Sequence, residues 1–161
     1  MTICSWNREC IFGEIHRIKV GDPEMILNEF GKIVRDEWMK SALIRKEIEI
    51  CAFVVMPNHL HGIVAIRGWG DRPVAPTVRR PGPKPKSISS FLAGFKAIVT
   101  KRINEFRQSP GVPVWQRNYF ERIIRNDIEY DRIRNYIVNN PRDWQDDQDN
   151  PDNFECVDRK V

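Results

Sequence analysis

Apolar positions change their spacing several times along the chain, and each change marks an element. Thr2–Trp6 and Ile11–Val20 read as two short strands joined through the polar Asn7-Arg8-Glu9 turn. Asp22-Pro23 then opens a helix, with Asp22 as N-cap and Pro23 at the first helical position. Ile26, Phe30, Ile33, Val34 and Trp38 recur at three- and four-residue steps to about Leu43, so one face of that helix packs on a core. Past Glu49, Ile48–Met56 is apolar on both faces; Pro57-Asn58 interrupts it, and His59–Ile66 follows as a second apolar run. Two such runs joined by a tight turn predict the centre of a sheet covered by helices.

Residues 67–86 break the pattern. They hold five prolines beside Arg67, Arg72, Arg79, Arg80, Lys84 and Lys86, the composition of an extended, mobile, basic loop inside one domain. A second long helix begins near Ser87–Ser90 and turns Phe91, Leu92, Phe95, Ile98, Val99, Ile103 and Phe106 inward, with Lys96, Lys101, Arg102 and Arg107 mostly off that stripe. Val112–Ile124 reads as a loop leading into a strand. Asn126 caps a last helix with Glu129 three residues on, and Pro141 stops it after Asn140. The expected order is β-β-α-β-β-α-β-α, an α+β chain with a frayed acidic end after Trp144.

Composition narrows the function classes. The chain has 161 residues, 41% of them hydrophobic and 30% charged, enough for a single packed domain. There is no apolar run long enough for a membrane span and no basic-then-apolar signal pattern, so a cytoplasmic protein with no membrane partner is expected. Cys4, Cys10, Cys51 and Cys156 form no C-x-x-C pair and read as reduced thiols. The net charge of +4 divides unevenly: residues 142–161 hold three basic and seven acidic residues, and residues 1–141 hold 23 basic and 15 acidic. A basic body with an acidic tail suits a polyanionic ligand, and also suits nothing more than solvated faces.

Two places carry candidate chemistry. His59 and His61 are two of the chain's three histidines; on a strand, residues two apart project from one face while Leu60 points to the other. Two neutral imidazoles converging there can hold a divalent cation, although an H-x-H step is also an ordinary strand-end pair. Tyr136 and Asn140, four residues apart, lie about 40° from each other on one helix face. Ile133 and Ile137 flank that face and would pin it on the core, so a phenol could stand beside a third ligand; such residues are also common helix-boundary residues. Tyr130 lies about 240° around the helix from Tyr136 and cannot share its site, and Tyr119 falls in the strand block.

Taken together, Val55-Met-Pro-Asn-His-Leu-His61, the basic amphipathic helix, Trp115-Gln-Arg-Asn-Tyr-Phe120 and Tyr136-Ile-Val-Asn-Asn-Pro141 resemble the single-tyrosine HUH transposases. The branch they resemble most is that of the REP-associated tyrosine transposases, related to the single-strand transposases of small insertion sequences. The blocks stand in family order from Thr2 to Trp144. The resemblance implies a ferredoxin-like antiparallel sheet with helices packed on it, residues 1–144 as the transposase domain and 145–161 as an acidic C-terminal tail. It implies His59, His61 and Asn140 as ligands of Mg2+ or Mn2+, and Tyr136 as the nucleophile that leaves a 5′-phosphotyrosine and a free 3′-OH on single-stranded hairpin DNA. No nucleotide triphosphate is then needed, and the chain carries no phosphate-binding G-x-x-x-x-G-K-[ST] loop.

Arg117, Arg122, Arg125, Lys96 and Lys101, with the basic loop, are the candidate phosphate contacts; Trp69 and Trp115 are candidates for stacking on bases, although Trp115 also reads as core. A DNA-processing enzyme would be nucleoid-associated in the cytoplasm. Relatives include both homodimers that share the site between chains and monomers, and the residues leave that choice open. Two other classes stay open: a non-catalytic module that grips DNA or RNA hairpins, and a metal-dependent hydrolase that uses only the histidine pair.

Overall fold

The two apolar runs at the centre of the chain pair with each other, and the rest of the fold is arranged around that hairpin. A computed structural model describes residues 1–17, 21–67 and 86–153. In chain order its elements are β1 (Thr2–Cys4), β2 (Gly13–His16), β3 (Glu24–Leu27), α1 (Glu29–Ile44), β4 (Ile48–Val55), β5 (His59–Ile66), α2 (Ile88–Phe106) and α3 (Asp127–Asn139). Single 3-10 turns lie at Trp6–Arg8, Trp144–Asp146 and Pro151–Asn153. Residues 18–20, 68–85 and 154–161 lie outside the described residues; with them go most of the basic loop, Trp69 and Cys156.

The antiparallel sheet has the order β1-β5-β4. Val55 pairs with Leu60 and Val54 with His61 across the hairpin, while Thr2 pairs with His61 and Cys4 with His59 on the other side. Cys51 is the extra residue of a bulge, since Ile50 pairs with Val64 and Ala52 with Ile63. The expected strand within 112–124 is present only as two bridges to the free edge of β1, Ser5 to Trp115 and Thr2 to Phe120. Between the two bridges the Gln116, Arg117 and Asn118 carbonyls turn to the Lys96 ammonium instead of a strand partner, which interrupts the ladder.

The expected helix from Asp22 is corrected. Residues 24–27 are a strand, pairing Leu27 with Gly13 and Glu24 with His16. Ile26, assigned from spacing to the helix face, is 45% exposed on this hairpin. The N-cap of α1 is Asn28, whose side-chain oxygen accepts from the Phe30 and Gly31 amides at 2.9 and 3.0 Å. Asn28 also donates to the Ile11 carbonyl, locking the small hairpin to the helix start. The order is therefore β-β-β-α-β-β-α-α, an α+β fold with an antiparallel sheet and three helices.

α1 and α2 seal one face of the sheet. Ile33, Val34 and Trp38 from α1 and Phe91, Leu92, Phe95, Val99 and Ile103 from α2 meet Ile3, Leu60 and Val55 in one buried cluster. Trp38 lies so close to β5 that a Cβ on Gly62 would stand 2.7 Å from its ring, so only glycine permits that approach. Leu60 and Gly62 face this layer. By strand alternation His59 and His61 must face the other, where α3 lies and Tyr136 meets His61. The described helices include none long and apolar enough to cross a membrane.

Candidate active site

The β4–β5 hairpin, the last turn of α3 and the segment after it converge on one point. His59 and His61 stand side by side with ring centroids 4.3 Å apart. Each is held from behind: His59 Nδ1 by Asn58 Oδ1 at 2.8 Å, and His61 Nδ1 by the Thr2 hydroxyl at 2.8 Å. Both second ring nitrogens are thereby left toward α3.

α3 is set by Asn126, whose side chain caps the Glu129 amide at 2.8 Å, and by Ile137, its buried anchor. This brings the Tyr136 hydroxyl to 3.4 Å from His61 Nε2, while the ring stays 49% exposed and open to a ligand. Asn140, one turn further, is buried beside the His59 ring.

Asp147 completes the arrangement, and sequence reasoning missed it. It is 8% exposed; its Oδ2 accepts from Asn140 Nδ2 at 2.8 Å and from the Tyr136 hydroxyl at 3.3 Å. The expected frayed end is thus overturned for residues 145–153. Trp144 packs against His59, Asn150 donates to the Trp144 carbonyl, Asn153 donates to the Gln145 and Asp147 carbonyls, and Arg8 pairs with Asp149. The available signal was an acidic cluster directly after the candidate helix of a basic chain; its net charge resembled a solubilising tail, and only packing singles out Asp147.

His59, His61 and Asp147 each offer a ligand atom, all within 4.8 Å of one another, a donor set that can hold a metal ion. The burial of His59 Nε2 and Asn140 Oδ1 without a hydrogen-bond partner supports this reading, because such atoms are otherwise costly. Burial pushes the His61 ring down to about 2, helped by the neighbouring His59, and pushes His59 down as well against the pull of Asp149 and Asp147. Both imidazoles are therefore neutral and able to ligate. Burial, followed by the Asp147 charge and hydrogen bond, raises the Tyr136 phenol to about 12, so it is a neutral donor in this arrangement.

The expected DNA contacts separate into two groups. Arg117 and Arg125 are exposed, without an ion-pair partner among the described residues, and Arg122 is exposed but paired with Glu129. Arg122 and Arg125 line the same open groove, of about 2640 Å³, as Tyr136 and Asp147. Lys101 is exposed on α2, 3.8 Å from Glu105. The Lys96 ammonium is occupied, donating to the Gln116, Arg117 and Asn118 carbonyls at 2.8, 3.3 and 3.1 Å. Trp115 is 6% exposed and packs between Phe12 and Phe95, which makes it core. Tyr119 bonds Ser89.

No family model matches the chain. A protein of Haemophilus influenzae, itself described as uncharacterized, is 38% identical over 155 residues, covering 92% of this chain and 82% of that protein. A solved structure of a REP-associated tyrosine transposase bound to a REP hairpin superposes with a TM-score of 0.54 at 23% identity, covering 87% of this chain. The chain spans 63% of that structure's length, and the likeness is one of fold. The chain therefore belongs to one family with the Haemophilus influenzae protein, on a fold shared with the REP-associated tyrosine transposase.

Proposed function

We propose that this protein is a metal-dependent single-stranded DNA transesterase, a single-tyrosine transposase of the HUH kind that nicks and rejoins DNA at hairpin-flanked targets. The observation that carries the reading is the meeting of a half-exposed phenol with two neutral imidazoles and a carboxylate, at 3.4 Å from His61 and 3.3 Å from Asp147. The hairpin-bound transposase of the same fold supports the substrate class, and such a substrate would put the protein at the nucleoid in the cytoplasm.

In this proposal His59, His61 and Asp147 would hold Mg2+ or Mn2+, with the Asn140 amide oxygen available beside them. The cation would polarise and orient a phosphodiester. Tyr136 is the nucleophile: its oxygen forms the new bond to phosphorus, the bond to the 3′-oxygen breaks, and the products are a 5′-phosphotyrosine and a free 3′-OH. The phenolic proton has Asp147 as its acceptor within reach and ends, in net terms, on the departing 3′-oxygen. Rejoining is the reverse displacement, so the phosphotyrosine conserves the bond energy. Arg117, Arg122 and Arg125 draw the strand by its phosphates; the occupied Lys96 ammonium does not share that role, and buried Trp115 does not stack on bases.

A denaturing gel tests the reading, with labelled hairpin oligonucleotides taken from the gene's own flanks, in Mn2+ and then in chelator. The expected result is a covalent adduct that needs metal and is absent from Tyr136→Phe. An adduct that persists in that variant would remove Tyr136 from the role; hairpin binding with no adduct in the wild type would make the protein a binding module.

A further inference from the structure

Asn58 is fully buried in the turn between β4 and β5, and both polar atoms of its side chain have partners. Its Nδ2 donates to two carbonyl oxygens, that of Arg8 at 2.9 Å and that of Asp149 at 2.6 Å. Carbonyl oxygens only accept, so the amide cannot be turned around: Oδ1 must face the His59 ring, where it stands 2.8 Å from Nδ1. An amide oxygen cannot donate. The proton of neutral His59 is then on Nδ1, and Nε2 carries a bare lone pair in the buried space shared with Asn140. The other group facing Nδ1, the Asp149 carboxylate at 4.0 Å, is also an acceptor and favours the same tautomer. His61 has no such constraint, because its Nδ1 partner is the Thr2 hydroxyl, which can donate or accept.

From this we infer that Asn58 is a positioning residue that fixes His59 as the Nδ1–H tautomer before any cation arrives. Through the same amide it ties the acidic segment bearing Asp147 to the ligand strand. The inference rests on the proposed metal role of His59. It adds a division of labour: the tautomer of one imidazole is set by the protein, and that of the other by what occupies the site.

Nitrogen-15 spectra of the histidine rings in metal-free, full-length protein test it directly, with His16 and His61 assigned by substitution. Wild-type His59 is expected as Nδ1–H alone. Asn58→Ala is expected to mix the His59 tautomers and to weaken Mn2+ binding in calorimetry by roughly 10–100-fold. Asn58→Asp separates the two roles of the amide: its carboxylate still accepts from Nδ1 and keeps the Nδ1–H form, but it can donate to neither carbonyl; should neither variant fold, the wild-type spectrum alone decides. A mixture or the Nε2–H form in wild type overturns the inference, as does an alanine variant with unchanged tautomer and Mn2+ affinity. Neither readout uses cleavage: a protein that forms the Tyr136 adduct with mixed His59 tautomers loses this inference alone, and one that shows a fixed tautomer but no adduct loses the enzymatic reading alone.

Discussion

The two faces of β5 are buried to the same depth and do opposite things. Leu60 and His59 both have zero exposure. Above Leu60 lie Trp38, Phe91 and Phe95, an apolar layer from two long helices. Above His59 and His61 lie Asn140, Asp147, Trp144 and Tyr136, carried by the end of one helix and the segment beyond it. Orphaned polar atoms occur on both sides and differ in kind. On the helical side they are the indole nitrogens of Trp38 and Trp115, which only donate and cannot ligate a cation. On the other side, leaving aside Glu129 Oε1 beside the Arg122 guanidinium, they are His59 Nε2 and Asn140 Oδ1, both able to offer a lone pair. Equal burial thus distinguishes nothing; what the buried atoms could bind does.

Substitutions one residue apart in function should separate the faces, and the largest effect is expected at Tyr136. Tyr136→Phe should reduce adduct formation to background while denaturant melts shift by less than about 1 kcal/mol, because the ring is half exposed. Leu60→Ala should do the reverse, costing about 2–5 kcal/mol in the same melts while the folded fraction still forms adduct. Loss of activity in proportion to loss of stability for both would mean that the faces are not independent.

Asp147→Asn is the intermediate case. It keeps the shape of the side chain and removes its charge, so Mn2+ affinity should fall by at least the roughly 10–100-fold that loss of a residue supporting a ligand costs. In metal-free protein the Tyr136 phenol, held at about 12 by burial first and Asp147 second, should then ionise at lower pH while staying above an ordinary tyrosine. Ultraviolet titration of phenolate, with Tyr136→Phe as the reference for the remaining two tyrosines, reads that shift. An unmoved titration would detach Asp147 from the phenol.

The same contrast explains what could be read from the chain. The helical face was legible because its signals are periodic: Phe91, Leu92, Phe95, Val99 and Ile103 fall at helical steps and end in the core, whereas Ile98 and Phe106, expected inward with them, lie at the edge of that stripe and are exposed. His59 and His61 were legible because strand alternation alone puts them on one face. The start of α1 was not, since Asp22-Pro23 and Asn28 both satisfy the rules for a helix start; pairing of residues 24–27 with β2 decided for Asn28. Asp147 was not legible because no local period connects it to Tyr136 and Asn140. Its position depends on Asn58 and Arg8, which hold Asp149, and on the packing of Trp144 against His59, contacts with two distant parts of the chain.

The smallest expected effects lie outside both faces, among the basic residues. Arg117 and Arg125 are exposed and without ion-pair partners among the described residues, so each alanine substitution should leave the melt within about 0.5 kcal/mol of wild type. If each guanidinium meets one phosphate, the slope of log affinity against log salt for a single strand should flatten by about 0.7 per substitution. Lys96 has the same charge and a different occupation. Its ammonium already holds three carbonyls of the 116–118 segment, so Lys96→Ala should cost about 1–3 kcal/mol of stability and leave the salt slope of the folded protein unchanged. Were Lys96 to move the slope and the arginines not, the strand would have to cross α2 rather than the groove that Tyr136 lines.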